Sequence, residues 1–283
     1  MLKFFLFSCL FSLLAADPVC MNGYTLVNSK CWKLFPEAMG PAADETCRTN
    51  GGGILATLKN AIDNRGLLTI LNGTGVNRVW LGMSCIGLSS ASCQWADKTS
   101  VQYNSFSSGF PNHRFGECVY YSADGSPPGQ WASGECDDTL PFVCEIPVTT
   151  QDVDVCGFGD GYNYNNYCYT PSTSADTFSW TQMDCAHTYA QNLVSIHSYL
   201  ENRFITYIYQ NLTTNIWIGA LAPGAGLIVW TDGTPNNYYN LKNTGNGSCV
   251  SMSLTTDNTT GIWSSGDCNA DYYYLCKRPV KTA

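Results

Sequence analysis

The sequence predicts a tandem of two α+β domains, each with two helices, two small antiparallel sheets and a long loop region, held by disulfides. Three observations predict it. Twelve of the fifteen cysteines write one spacing twice, each copy holds an even number, and each half runs from helix-period segments into short β-type segments separated by Gly, Asn and Ser. The first copy has Cys20, Cys31, Cys47, Cys118, Cys136 and Cys144, and the second has Cys156, Cys168, Cys185, Cys249, Cys268 and Cys276. The first two steps are 11 and 16 residues in one copy (31−20, 47−31) and 12 and 17 in the other (168−156, 185−168). The last step is 8 in both (144−136, 276−268). A fixed pattern repeated at domain length marks a duplicated unit. Cys85 and Cys93 add one further pair to the first copy.

The elements follow in the same order in each copy. A short hairpin lies between the first two cysteines, and a helix carries the third. In the second copy Trp180, Met183, Ala186 and Ala190 recur at steps of 3, 3 and 4, which predicts the apolar face of that helix. A second helix is predicted from Leu200, Phe204, Ile208 and Leu212, with Ser198 as N-cap. Its counterpart holds Leu67, Leu68 and Leu71 after Asn60, with Gly66 against it. Buried strands follow at Trp80-Leu81-Gly82-Met83 and Trp217-Ile218-Gly219-Ala220. Beyond them the chain reads as long loop up to the fourth cysteine. Short β-segments around Cys118, Trp131 and Cys144, and around Cys249, Trp263 and Cys276, complete each unit.

Domain limits are expected at 20–144 and 156–276, with a linker at 145–155 and a tail at 277–283. Residues 1–16 read as a secretory signal: Lys3, an apolar run from Phe4 to Leu14, then Ala15 and Ala16 as a cleavage site. Cleavage removes Cys9 and leaves an even cysteine set, which in an exported chain means disulfides rather than zinc. The expected location is extracellular and secreted, with no membrane span. There are 14 basic and 22 acidic residues, a net charge of −8, and no basic stripe, which excludes nucleic acid as a partner. Sequons at Asn72, Asn211, Asn246 and Asn258 are expected surface glycosylation positions.

The tetrapeptides at Trp80 and Trp217 carry a resemblance to the C-type lectin-like domains. So do the segments Ile54-Leu55-Ala56-Thr57-Leu58 and Asn192 to Ser198, the Trp-x-x-Gly-x-Cys ends at Trp131–Cys136 and Trp263–Cys268, and the cysteine frame. The chain resembles secreted two-domain members of that family, notably those of nematodes. Cysteine counting alone leaves about 105 pairings for eight residues and about 15 for six. The resemblance implies Cys20 with Cys31, Cys47 with Cys144 and Cys118 with Cys136. It implies Cys156 with Cys168, Cys185 with Cys276 and Cys249 with Cys268 in the second copy, and leaves Cys85 for Cys93.

Family members that bind sugar do so through calcium, held by a carboxylate-proline-amide triplet in the long loop, a glutamate near the fourth cysteine and a Trp-Asn-Asp triplet. In the first copy these positions read Phe110-Pro111-Asn112, Gly116 with Glu117 beside it, and Trp131-Ala132-Ser133. In the second, Thr234-Pro235-Asn236 matches an earlier turn, Gly247 and Ser248 precede the fourth cysteine, and the last triplet is Trp263-Ser264-Ser265. Calcium takes about six to eight hard oxygens, several of them charged. The set here is depleted, so no cofactor and no metal are expected. Ligand contacts are expected from Tyr103, Phe106, Phe110, Asn112, Glu117, Tyr238 and Tyr239. Trp80, Trp131, Trp217 and Trp263 are expected in the core.

An enzyme is not expected. The three histidines are His113, His187 and His197, and neither of the last two has a nucleophile assigned to it from sequence. The function expected is a secreted recognition protein for carbohydrate or protein ligands on cell or microbial surfaces, with innate defence as a family implication and oligomeric state open. A calcium-dependent lectin with an atypical site in the first domain, and a structural extracellular protein, are the alternatives.

Overall fold

The computed structural model describes residues 17–151, 156, 161–224, 226–255 and 260–281. The expected signal segment 1–16 and the sequon at Asn258 lie outside the described residues. The first half runs β1 (Pro18–Val19), β2 (Thr25–Val27), β3 (Lys30–Met39), α1 (Gly40–Thr49), β4 (Ile54–Leu55), α2 (Ala61–Leu71) and β5 (Arg78–Cys85). It continues with β6 (Cys93–Trp95), β7 (Cys118–Ser122), β8 (Gln130–Gly134), β9 (Thr139–Ile146) and β10 (Thr149–Thr150). The second half has β11 (Tyr162–Tyr164), β12 (Tyr167–Pro171), α3 (Phe178–Thr188), β13 (Asn192–Leu193), α4 (Tyr199–Ile208), β14 (Asn215–Gly224) and β15 (Leu227–Trp230). It ends in β16 (Leu241–Thr244), β17 (Cys249–Ser253), β18 (Trp263–Gly266) and β19 (Tyr273–Pro279).

Strand order is β2-β3-β9-β5-β7-β8 in one half and β11-β12-β19-β14-β17-β18-β16 in the other. The one parallel neighbour pair that recurs, β5 with β9 and β14 with β19, brings the strand after the second helix beside the last strand. Short strands β6, β15 and β16 occupy stretches that composition reads as loop. β6 and β15 form as hairpin partners of β5 and β14, and β16 pairs in parallel with β18. Strand β9 runs to Ile146 and β19 to Pro279, beyond the expected limits at 144 and 276. Thr149 and Thr150 pair with Val19 and Pro18.

Both copies solve the same packing problems with the same side chains. Trp80 and Trp217 are buried, and their indole N–H groups donate to the carbonyls of Ala38 at 3.1 Å and Asp176 at 2.9 Å. Trp131 and Trp263 donate to Asn64 and Asn202, both at 2.8 Å. Gly82 and Gly219 sit where a Cβ would run into the carbonyls of Leu55 and Leu193, so the tetrapeptide glycine is set by backbone crossing at the sheet centre. Asn60 caps α2 by accepting from Ile62 and Asp63, and Ser198 caps α4 by accepting from Glu201.

Seven bridges lock the units: Cys20–Cys31, Cys47–Cys144, Cys85–Cys93 and Cys118–Cys136, then Cys156–Cys168, Cys185–Cys276 and Cys249–Cys268. The Cys185 bridge also corrects the helix face expected from Trp180 and Met183. Helix α3 buries Phe178, Thr181 and Cys185, while Trp180 is 48% and Met183 45% exposed. A covalent tether to β19 fixes which side turns inward, and it overrides the hydrophobic period. Helix α4 ends at Ile208, short of Leu212.

Each copy builds an ion pair under its second helix with the lysine on a different strand, β3 in the first and β19 in the second. In the first, Lys30 lies 2.9 Å from Glu145, which also accepts from the Trp32 indole at 3.1 Å. In the second, Tyr167 and Lys277 hold the matching positions, and the Lys277 ammonium lies 2.5 Å from Glu201 and 4.3 Å from the Tyr167 ring centroid. Exchange of both members keeps each interior charge compensated. The halves meet through α4. Arg203 reaches the Gly53 carbonyl at 2.7 Å and the Asp44 carboxylate at 3.0 Å, and Lys98 lies 5.2 Å from the Tyr199 ring centroid.

Candidate recognition loops

The long loop of the first half closes on β8. The Phe110–Pro111 peptide is cis, and Asn112 caps a single 3-10 turn over His113–Phe115. The Asn112 side-chain oxygen accepts from the Arg114 backbone N–H at 3.1 Å, and the Asn112 backbone N–H donates to the Ser133 hydroxyl at 2.9 Å. The Asn112 side-chain oxygen and the Ser133 hydroxyl are therefore both engaged in holding the loop. Ala132, in the same triplet, offers no side-chain donor, and Ser133 is buried.

Position 116 is closed to any side chain. Gly116 has φ +109°, and a Cβ there would overlap the Gly134 carbonyl. Gly247 stands in the same relation to Gly266. The glutamate that a calcium-binding relative would need near the fourth cysteine thus has no room in either copy. Glu117, one position on, is exposed, and its carbonyl accepts from the Cys85 amide. Among the described residues no group of three or more His, Cys, Asp or Glu is placed to hold a metal ion.

The expected contact residues fall into two sets. Tyr103 and Phe106 pack edge-on against Trp131 with centroids 5.7 and 5.4 Å away, and Tyr238 packs against Trp263 at 5.5 Å. These rings are half-buried wedges under the loop, and burial, with Tyr199 adding, pushes the Tyr238 phenol up to about 12. The second set lies at the loop surface, with Phe110 itself half-buried. Phe110 stacks obliquely on Phe115, centroids 5.6 Å apart, with Phe115 57% exposed. Asn112 is half-buried, and Glu117, His113 and Arg114 are exposed beside it. Tyr239 is exposed in the second half.

Phe115 was not legible as a contact residue, since nothing in its spacing separates an outward aromatic from a packed one. Ile86 and Leu88, 73% and 63% exposed inside the Cys85–Cys93 loop, are further apolar groups that sequence reasoning missed. The small loop closed by that bridge is too short to fold them under.

Thr234-Pro235-Asn236 does lie in the earlier turn. Thr234 donates through its amide to Asp232 at 2.9 Å, and Thr99 does the same to Asp97 at 3.1 Å. In the first half Lys59 pairs with Asp97 at 3.0 Å. In the second, His197 takes the place of Lys59 and contacts Ser195 and Thr234 at 3.0 and 3.1 Å. Ser195 is thus the hydroxyl neighbour that spacing did not assign to His197. It is buried and donates to Asp232 at 2.6 Å, an arrangement that ties up its proton and presents no nucleophile to a cleft.

Asn72, Asn211 and Asn246 are exposed, with Asn246 in the turn between β16 and β17. Among the described residues no helix is long and apolar enough to cross a membrane.

A family model for the Lectin C-type domain matches residues 40–146 and 174–278. The chain is 37% identical over 267 residues to C-type lectin domain-containing protein 38 of Caenorhabditis elegans, covering 93% of this chain and 68% of the relative. It is 22% identical over 273 residues to the secretory phospholipase A2 receptor of Oryctolagus cuniculus, covering 90% of this chain but only 18% of the receptor. Among solved structures, ovocleidin-17 of the Gallus gallus eggshell calcified layer aligns at 28% identity and a TM-score of 0.39, over 45% of this chain and 98% of its own.

Proposed function

We propose that this chain, which belongs to the C-type lectin domain family, is an extracellular recognition protein that holds its ligand through exposed loop side chains without calcium. The ligand is a carbohydrate or protein on a cell or microbial surface. One observation carries the reading. The glutamate position beside the fourth cysteine is sterically closed in both copies by Gly116 and Gly247, while the retained Asn112 oxygen already accepts from the loop backbone. Few hard oxygens remain free in a site that needs about six to eight.

Phe110, Phe115, Asn112, Glu117 and Tyr239 form the contact set on this reading, an aromatic and amide surface suited to stacking on a sugar face or on a protein side chain. Export, through cleavage of residues 1–16, supplies the oxidising route that seven bridges need. Glycans at Asn72, Asn211 and Asn246 fit their exposure, and one at Asn246 would crowd the second-domain loop. Two copies on one chain raise the effective local concentration of contacts at a repetitive surface, which accords with a role in innate defence.

Calorimetry with calcium, followed by a glycan array and pull-down on bacteria and fungal walls with and without EDTA, tests the proposal. Capture that persists in EDTA and weakens in Phe115→Ala supports it. Tight calcium uptake with chelator-sensitive glycan capture would overturn it in favour of an atypical calcium-dependent site in the first domain.

A further inference from the structure

The second domain carries a concave site beside α3 with three aromatic side chains and two carboxylates in its wall. A cavity of ≈260 Å³ is lined by Asp176, Trp180, Thr181, Asp184, Tyr189 and Tyr274, and closed at one edge by residues 173–174. Trp180 stands on the first turn of α3 and leaves about half its surface in solvent, although burial is where a tryptophan gains most.

The carboxylates in the wall are held in place yet lack a cationic partner. Asp184 accepts from the Tyr274 hydroxyl and the Thr188 hydroxyl, each at 2.5 Å, and Asp176 accepts from the Thr177 amide at 2.7 Å. Among the described residues no lysine or arginine is paired with either. A carboxylate has about four lone-pair sites, so each keeps acceptor capacity toward the cavity. The local field is negative: burial raises the Tyr274 and Tyr189 phenols, and Asp184 raises both further.

The fold itself does not require these groups. The Trp80 and Trp217 indoles donate to the carbonyls of Ala38 and Asp176, which fixes those positions as equivalent. Gly40 and Phe178 likewise both donate to the fifth cysteine of their copy. On that register Ala38, Ala42, Thr46 and Phe142 stand where the second domain has Asp176, Trp180, Asp184 and Tyr274. One copy folds with two alanines, a threonine and a phenylalanine at these places. The other has a tryptophan, two carboxylates and a phenol converging on a cavity.

We propose that this cavity binds an organic ammonium group, seated over the Trp180 indole with the Asp176 and Asp184 carboxylates as counter-charge. A cation over an indole face is favourable, most of all when partly desolvated. A hard divalent ion does not suit a wall with only two carboxylates, three of whose eight side chains are aromatic. A polysaccharide bearing free amino groups presents this group. The site uses different elements from the recognition loops and stands whether or not their calcium-free reading does.

Indole N–H NMR of the mature full-length chain tests it, with glucosamine and choline as probes and N-acetylglucosamine as the uncharged control. The expected result is a saturable shift of one indole resonance, the one missing in Trp180→Ala, with both ammonium probes and not with the control. Trp180→Leu should weaken glucosamine binding about tenfold or more, while Trp180→Phe retains part of it. Asp176→Asn should weaken it severalfold. Trp180 is exposed, so its variants keep the wild-type melting temperature and leave Phe115-dependent capture unchanged. No saturable shift with either ammonium probe, an equal shift with N-acetylglucosamine, or full affinity in Trp180→Leu would overturn the proposal.

Discussion

The Arg203 guanidinium of the second domain lies 3.0 Å from the Asp44 carboxylate of the first, and the same side chain donates to the Gly53 carbonyl at 2.7 Å. Arg203 is buried by this contact, so the two halves meet through a desolvated cation rather than through a tether alone. Arg203→Ala should cost about 2 kcal/mol, in the range for hydrogen bonds to a charged group. In calorimetry the wild-type chain is expected to melt as one transition and the variant as two. A single, unshifted transition in the variant would show that the contact couples nothing.

The Glu201–Lys277 pair is the stronger stability test, since both side chains are almost wholly buried. Glu201 also accepts from the Tyr169 hydroxyl and the His197 amide, both at 2.8 Å. Glu201→Ala or Lys277→Met alone should each cost about 3 to 5 kcal/mol, because each strands the other charge. The double variant Glu201→Ala with Lys277→Met should cost less than the two single changes summed. Urea titrations arranged as a double-mutant cycle measure this, and strict additivity would be the contrary result.

Asp97 and Asp232 are the matching turn carboxylates of the two domains. Burial by itself would raise both. Hydrogen bonds from Thr99 and Lys59 to the first, and from Ser195 and Thr234 to the second, outweigh it and leave each below its ordinary value of 3.8. A depressed carboxyl contributes stability that is present above the unfolded value and is lost as pH falls through the folded one. Melting temperature is therefore expected to drop as the solution is acidified below 3.8. The Asp97→Asn, Asp232→Asn double variant should start lower at neutral pH and fall less steeply over that window. Equal slopes would remove these two groups from the acid response.

Calcium should leave stability untouched. A ligand present at 100 times its Kd adds about 2.7 kcal/mol to folding. Thermal melts with millimolar calcium and with EDTA should superimpose, and a calcium-dependent rise would place an ion on oxygens not counted here.

Among the bridges, Cys47–Cys144 closes 97 residues and Cys85–Cys93 only 8. In the chain-entropy model the first removes up to about 4.7 kcal/mol from the unfolded state and the second about 2.5. Paired Cys→Ala variants at Cys85 and Cys93 should therefore retain a cooperative melt, whereas those at Cys47 and Cys144 should lose most of the first domain's stability. Guanidinium titration ranks them.

What the sequence by itself determined is the duplication, the helix starts at Asn60 and Ser198, the central strands at Trp80 and Trp217 and the tryptophan core. These rest on local signals: cysteine spacing, side-chain caps and short apolar runs, all readable without knowing what lies across the fold. Only the tertiary structure decided which way α3 faces, because the Cys185 tether to β19 turns Trp180 outward against its hydrophobic period. It also decided that Tyr103, Phe106 and Tyr238 are wedges on tryptophans while Phe115 is exposed against Phe110, that Ser195 lies against His197, and that Gly116 has no room for a side chain. Each of these is a contact between residues far apart in the chain or on facing backbones, and one-dimensional spacing carries no record of such distances.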